Sequence, residues 1–354
     1  MSDSFYFGPG PTTLPAAVKS KIIEGIDRCH EQPVGILEIS HKSDYFLSYT
    51  KAMESKFRSL LSVPDDYAVI FMPAGARHQY NLLLQNFVVN NKSLATYVHG
   101  HWSKLMATWA ADMTVCYDDL AILEEQAHKY DFIQTVSNET VDGTSLTHPF
   151  MSSHTGVLLD ATSDLCLRPI PIENYACVFA ATQKTLGVAG MSVAIVRRDL
   201  LIKFKPSLAT QSYEFYAASH SLSVTPPVFA WWVCGLMVDW MLEQGGINTL
   251  YADLQQRSHA LYAIITAHKY YKCNYLRQKS SLQNICFDLL DVNMRDDFLS
   301  KANAAGLYGL SGHKMGSDIR INLYHNVTVQ AFESLCGFLQ AYRFESEKMA
   351  VNYD

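Results

Sequence analysis

Apolar residues fall along the chain in short unbroken runs, separated by longer stretches in which they recur at helical spacing. The run Ala68–Met72 predicts a buried strand; the small-residue turn Pro73-Ala74-Gly75-Ala76 follows, then a helix carrying Tyr80, Leu82, Leu83 and Leu84. Ala95–Val98, Gly156–Asp160, Ala176–Ala180 and Ser192–Arg197 read as further strands. Continuous apolar strands separated by helices predict an α/β fold with a mainly parallel sheet covered on both faces. The longest apolar run, Val228 to Val238, ends at Asp239. It is shorter than the roughly 18 residues a membrane span needs, and reads as a buried helix starting after Pro226-Pro227. From about Leu250 the texture changes: a helix near Ser258–His268, a strand near Gln283–Leu289, a helix over Arg295–Ala305, a strand at Asp318–Leu323 and a helix from Val329 to Tyr342 predict a compact α+β unit. No internal repeat is visible.

With 354 residues the chain exceeds one ordinary core, since single cores stop growing near ~250–300 residues. A large domain over 16–249 and a small one over 250–354 are expected, with segment 1–15 packing on the small one. Hydrophobic residues at 49% and charged residues at 18% are ordinary globular values. A net charge of −6 without any Lys/Arg run argues against a nucleic-acid partner. The eight cysteines are scattered, mostly in apolar runs, and form no CxxC or zinc spacing; reduced thiols, no metal and a cytoplasmic protein are expected. The N-terminus lacks the basic and apolar regions of a signal peptide.

Few residues then stand out chemically. Asp160 ends an apolar strand, at the sheet edge where open α/β folds bind ligands; alone, it reads first as a turn or helix-cap aspartate. Lys184 lies in the polar turn Thr182-Gln183-Lys184-Thr185 after another strand. A lysine there is either surface or a desolvated nucleophile for an aldehyde. A strand-end acid and a strand-end lysine together meet the needs of pyridoxal 5′-phosphate (PLP), which takes a lysine for its Schiff base and a carboxylate for its ring nitrogen. The Ala74-Gly75-Ala76-Arg77 turn before a helix is either an ordinary β–α connection or a phosphate cradle. Trp102, after His99-Gly100-His101, is either core or a wall for a flat ring. The pairs His41-Lys42 and His313-Lys314, with Arg320, are either solvated surface or grips for a phosphate and a carboxylate.

Across nearly its whole length the chain resembles the phosphoserine aminotransferases, class V members of the fold-type I PLP enzymes. The resemblance rests on Phe5-Tyr6-Phe7-Gly8-Pro9-Gly10-Pro11, Glu38-Ile39-Ser40-His41-Lys42-Ser43, Asn138-Glu139-Thr140-Val141-Asp142-Gly143, Arg168-Pro169-Ile170, Ala181-Thr182-Gln183-Lys184, Thr225-Pro226-Pro227 and Gly312-His313-Lys314. It implies that Lys184 forms the Schiff base with PLP, that Asp160 pairs with the ring nitrogen and that Trp102 stacks on the ring. Thr140 is implied near the phenolic oxygen, with Ala76, Arg77 and Gln183 at the cofactor phosphate. Thr225 is implied to reach that phosphate from a second subunit, hence a homodimer with shared sites. His41, Lys42, His313 and Lys314 match the substrate-phosphate cluster, and Arg320 the carboxylate grip. The implied reaction passes an amino group from glutamate to 3-phosphohydroxypyruvate, giving 2-oxoglutarate and O-phospho-L-serine, with a related phosphorylated threonine precursor of pyridoxine synthesis as a second substrate.

The chain departs from the pattern at Lys42 and Lys314, where arginine is common, at Val224, where asparagine commonly precedes the Thr-Pro-Pro, and at Ala76 and Pro9. The lysines keep charge but lose fork geometry, so a class V aminotransferase for an unphosphorylated amino acid is the alternative. A cysteine desulfurase needs an exposed reactive thiol, and Cys286 and Cys336 sit in apolar segments that predict burial. A non-catalytic binding protein would have no need of the Lys184–Asp160 pair.

Overall fold

The computed structural model describes residues 4–88, 92–146, 156–203, 206, 208–273, 279–291 and 293–343. The chain opens with β1 (Phe5–Tyr6), α1 (Ala16–Asp27) and α2 (Asp44–Leu61). β2 (Tyr67–Met72), α3 (Ala76–Leu83), β3 (Leu94–Tyr97), α4 (His101–Ala110), β4 (Thr114–Tyr117) and α5 (Leu120–Gln126) follow in alternation. Next come β5 (Phe132–Val136), the small hairpin β6 (Asn138–Glu139) and β7 (Thr144–Ser145), then β8 (Gly156–Asp160), β9 (Cys177–Ala181) and β10 (Ser192–Arg197). Helices α6 (Arg198–Lys203), α7 (Tyr213–Ala218), α8 (Val228–Glu243) and α9 (Gly246–Ala267) lead to a second region. It holds β11 (Tyr271–Lys272), β12 (Asn284–Leu289), α10 (Met294–Ala304), β13 (Leu307–Tyr308), β14 (Ile319–Asn322) and α11 (Val329–Ala341).

Seven strands form the main sheet in the order β2-β10-β9-β8-β5-β3-β4. β10 is antiparallel to both its neighbours, and every other pairing is parallel. The sheet is therefore mainly parallel, with β10 alone reversed, and β2 ends on the same edge as β9, β8, β5 and β3. Side-chain alternation sorts the strands into two cores. Val69, Phe71, Val157, Leu159, Val178 and Ala180 face the layer of α2 and α8. Ala68, Ile70, Met72, Leu158 and Phe179 face the layer holding α3, α4 and α7. α8 begins directly after Pro227 as expected and buries Trp231, Trp232 and Val233 through Val238. An all-round apolar helix is a core helix here; no helix among the described residues is long and apolar enough to cross a membrane.

Residues 254–342 build a separate core around Tyr271, Phe287, Phe298, Leu335 and Tyr342. Phe7 of the N-terminal segment belongs to it, and β1 pairs in parallel with β13. The helix expected near Ser258–His268 starts a full three turns earlier, at Gly246. Buried asparagines tie this region to the main sheet. Asn138 Nδ2 donates to Asn284 Oδ1 (2.7 Å), Asn284 Nδ2 to Asn322 Oδ1 (2.7 Å), and Asn322 Nδ2 to the Phe7 carbonyl (2.6 Å). A buried amide left unpaired is costly, so this ladder fixes how the N-terminal segment, β14 and the β5–β6 turn meet.

Candidate active site

At the carboxyl edge of the main sheet lies a cavity of about 600 Å³, within the ~300–1,000 Å³ range of ligand pockets. Asp160, the last residue of β8, is buried in its floor. Its Oδ2 accepts from the Tyr80 hydroxyl (2.8 Å) and its Oδ1 from the Thr162 amide (2.9 Å). Burial pushes the Asp160 carboxyl up, while the Thr162 and Tyr80 donors and the Lys184 charge pull it back. Lys184 stands in the turn after β9 and also lines the cavity. Burial brings its amine from 10.5 down to about 8; the Asp160 charge opposes that shift and Arg320 adds to it. Near neutrality such an amine reaches its free-base form far more readily than an exposed lysine.

The N-terminal segment closes one side. Thr12 donates its amide to the Gln183 carbonyl (3.0 Å) and its hydroxyl to the Lys184 carbonyl (2.6 Å). Gly10, at φ +125°, lies so close that a Cβ there would sit 3.2 Å from Lys184 Cγ. Only glycine takes that backbone conformation without strain, so Pro9-Gly10-Pro11 folds flat over the lysine.

The opposite wall is built by the turn after β5. Glu139, fully buried, accepts from the Trp102 amide and the Ser103 amide (both 2.7 Å), and Asp142 accepts from the His101 amide (2.8 Å). Two carboxylates thus occupy the positive end of α4, where glycine at the N-cap supplies no side chain. Trp102 Nε1 donates to Thr140 Oγ1 (2.8 Å), leaving that hydroxyl's own proton for another acceptor. Arg320, buried on β14, donates from Nη1 to the Thr140 carbonyl (2.7 Å), and its Nε has no partner among the described residues. The His101 and His313 rings lie 5.2 Å apart at the same wall. Burial and then the His101 charge push the His313 imidazole down.

These groups fit PLP. A buried carboxylate and an amine stand in one cavity, an indole and a hydroxyl line one side, and α3 starts at the rim. Gly75, Ala76 and Arg77 line the cavity, which brings to its rim the start of α3, where the first N–H groups of a helix have no partner within it and can meet a phosphate. Of the residues singled out from the sequence, Ala76, Arg77, Trp102, Thr140, Asp160, Gln183, Lys184, His313 and Arg320 line the cavity. His41, Lys42, Lys314 and Thr225 do not, and Lys42, Lys314 and Thr225 are exposed. Tyr80, Asn138 and Thr162 line it without having been singled out, and Glu139 braces it from behind. Cys286 and Cys336, expected to be buried, are half-buried; burial pushes their thiols up to about 12 and about 11, far from the reactive range.

The sheet, the cavity at its carboxyl edge and the lysine–aspartate pair define a PLP-dependent enzyme of fold type I. The chain matches the class-V aminotransferase family over residues 4–335 and belongs to it. Its cofactor is PLP and its chemistry is amino-group transfer. Among curated relatives it is 31% identical to the phosphoserine aminotransferase of Mannheimia succiniciproducens, over 98% of this chain and 99% of that one. Among solved structures it resembles the phosphoserine aminotransferase of Bacillus circulans subsp. alkalophilus (TM-score 0.87, 24% identity, 94% and 96% covered). The PLP-bound phosphoserine aminotransferase of Trichomonas vaginalis is similar in fold too (TM-score 0.86, 22% identity, 96% and 100% covered).

Proposed function

We propose that this protein is a phosphoserine aminotransferase, carrying the amino group of glutamate to 3-phosphohydroxypyruvate and releasing 2-oxoglutarate and O-phospho-L-serine. The observation that carries the reading is full-length similarity to relatives of that name, together with Arg320 and His313 in the cavity that holds Lys184. When bound, PLP supplies an aldehyde for the amino group and a ring that draws electrons away from the substrate's Cα. The protein's residues do the rest. Lys184 Nζ, poised as a base by burial, would carry the proton between the substrate's Cα and the carbon that brought the aldehyde. Asp160 holds the ring nitrogen, Trp102 and Thr140 fix the plane of the ring, and the Ala76 and Arg77 amides with Gln183 hold its phosphate. Arg320, braced by Thr140, offers its fork to the substrate carboxylate. His313 and Lys314 take the substrate phosphate.

The reading includes a homodimer with shared sites in which Thr225 reaches the cofactor phosphate of the partner subunit, and His41 and Lys42 join the substrate-phosphate cluster. Thr225 is exposed at the surface, where a second subunit can be reached. We also take 16–249 as the PLP-binding domain and 250–354 as the small one, supported by the separate core of residues 254–342. A cytoplasmic setting, serine synthesis and a second role on the phosphorylated threonine precursor of pyridoxine fit the same site.

The test is a visible spectrum of the PLP-loaded protein before and after O-phospho-L-serine. Bleaching of the yellow band by phosphoserine but not by serine supports both chemistry and substrate. A band indifferent to phosphoserine leaves transamination and removes this substrate, turning attention to Lys42 and Lys314.

A further inference from the structure

Tyr80 is a buried phenol on α3 that shares the cavity floor with Asp160. Edge-to-face contacts with Phe179 (centroids 6.0 Å, 77°) and Trp109 (6.4 Å, 76°) hold its ring. The hydroxyl is thereby delivered 2.8 Å from Asp160 Oδ2. Burial and the neighbouring Asp160 charge push the phenol well above its ordinary range, so it stays protonated and the carboxylate can only accept from it.

We propose that Tyr80 is a positioning residue for the cofactor, its hydroxyl keeping Asp160 an ionised acceptor aimed at the ring nitrogen of PLP. A carboxylate fully removed from water tends to take up a proton unless donors hold it, and a neutral carboxyl pairs poorly with a protonated ring nitrogen. The groups that face Asp160 are the Thr162 amide and hydroxyl, the Tyr80 hydroxyl and the Lys184 amine; Arg77 and Glu139 act on Tyr80 itself. Of the groups that face Asp160 itself, Tyr80 alone comes from α3, the helix whose first turn opens at the cavity rim. One short helix therefore addresses both ends of the cofactor, the phosphate with its N-terminus and the ring nitrogen through Tyr80. The proposal rests on Asp160 being the ring partner.

The test is PLP binding to the cofactor-free protein, followed by quenching of tryptophan fluorescence across about pH 5 to 8, where a folded protein tends to be most stable. Tyr80→Phe keeps the ring packing and removes the donor. The acid limb of its binding curve should move up by about one to two pH units, weakening PLP about ten- to hundred-fold at the acid end with little change at the alkaline end. A merely structural loss would weaken binding equally at every pH, and that result overturns the proposal. In an Asp160→Asn background the Tyr80→Phe change should leave the limb where it stands; an equal shift there would show the effect bypasses Asp160. If Asp160→Asn binds PLP like the wild type, Asp160 is not the ring partner, and the site assignment and this proposal fall together. Should Tyr80→Phe fail to fold, Thr162→Val removes another donor to the same carboxylate. It should move the limb in the same direction, and an unmoved limb sinks the idea.

Discussion

Burying the Lys184 amine costs the fold stability, and the size of that cost can be worked out. In the protein stripped of PLP its amine is pushed from 10.5 down to about 8, mainly by burial. The unfolded chain binds this proton more tightly than the folded one, so stability rises with pH between those two values and is lowest below the smaller. At about 1.4 kcal/mol per pH unit, holding the cation in the fold costs about 3 kcal/mol at pH 7. That is an upper figure, because Lys184 is only half-buried and solvent screens part of the charge. Asp160's attraction is already contained in it, as one of the forces on the amine. Lys184→Met conserves volume and removes the charge. The cofactor-free variant should therefore be more stable than the cofactor-free wild type by up to about 3 kcal/mol at pH 7, with the gap falling below about 1 kcal/mol by pH 10 as the native lysine loses its proton. Urea denaturation of both proteins at the two pH values measures this. A variant no more stable at pH 7, or a gap that persists unchanged at pH 10, would refute the desolvation argument.

The sequence showed the strand-end chemistry well and its supports poorly, for physical reasons. β8 and β10 are unbroken apolar runs buried on both faces, and their observed bounds, Gly156–Asp160 and Ser192–Arg197, coincide with the expected ones. β5 escaped because Gln134 and Thr135 interrupt its apolar run; both are buried, and Gln134 Nε2 is satisfied by Thr96 Oγ1 across the ladder (2.8 Å). β4 is an edge strand with Val115 exposed, so it carries little hydrophobic signal. α9 was shortened because Asp253, Gln255, Gln256 and Arg257 crowd its early turns; Arg257 instead reaches the Val327 carbonyl. In the site, Asp160 and Lys184 were visible because polar residues ending apolar strands are conspicuous. Tyr80 looks like a core aromatic on a helix face, and Glu139 like one more acid in a turn. Their roles depend on partners at Asp160, Trp102 and Ser103, which only the fold brings within 3 Å. Local pattern thus reports which residues sit at the carboxyl edge, and tertiary pairing decides what holds them there.

Two further predictions follow from those pairings. Glu139→Gln keeps the shape but trades a charged acceptor of two α4 amides for a neutral one that also brings an NH₂ against them. A loss of about 2–4 kcal/mol in urea denaturation is expected from charge-assisted bonds of this kind, together with weaker PLP binding as Trp102 loses its anchor; a change within about 0.5 kcal/mol would place Glu139 among neutral surface substitutions. Arg320→Lys retains the cation yet gives up the fork, and a lysine cannot both reach the Thr140 carbonyl now held by Nη1 and grip a carboxylate with two parallel bonds. Since Arg320 enters the reading through substrate and not through cofactor, the visible PLP band should form as in the wild type. KM for both glutamate and phosphoserine should rise by roughly ten- to hundred-fold, the range of one or two lost charge-assisted hydrogen bonds. If instead KM holds and the PLP band is lost, Arg320 serves the Thr140 wall of the cofactor pocket, and the carboxylate grip must be sought elsewhere in the cavity.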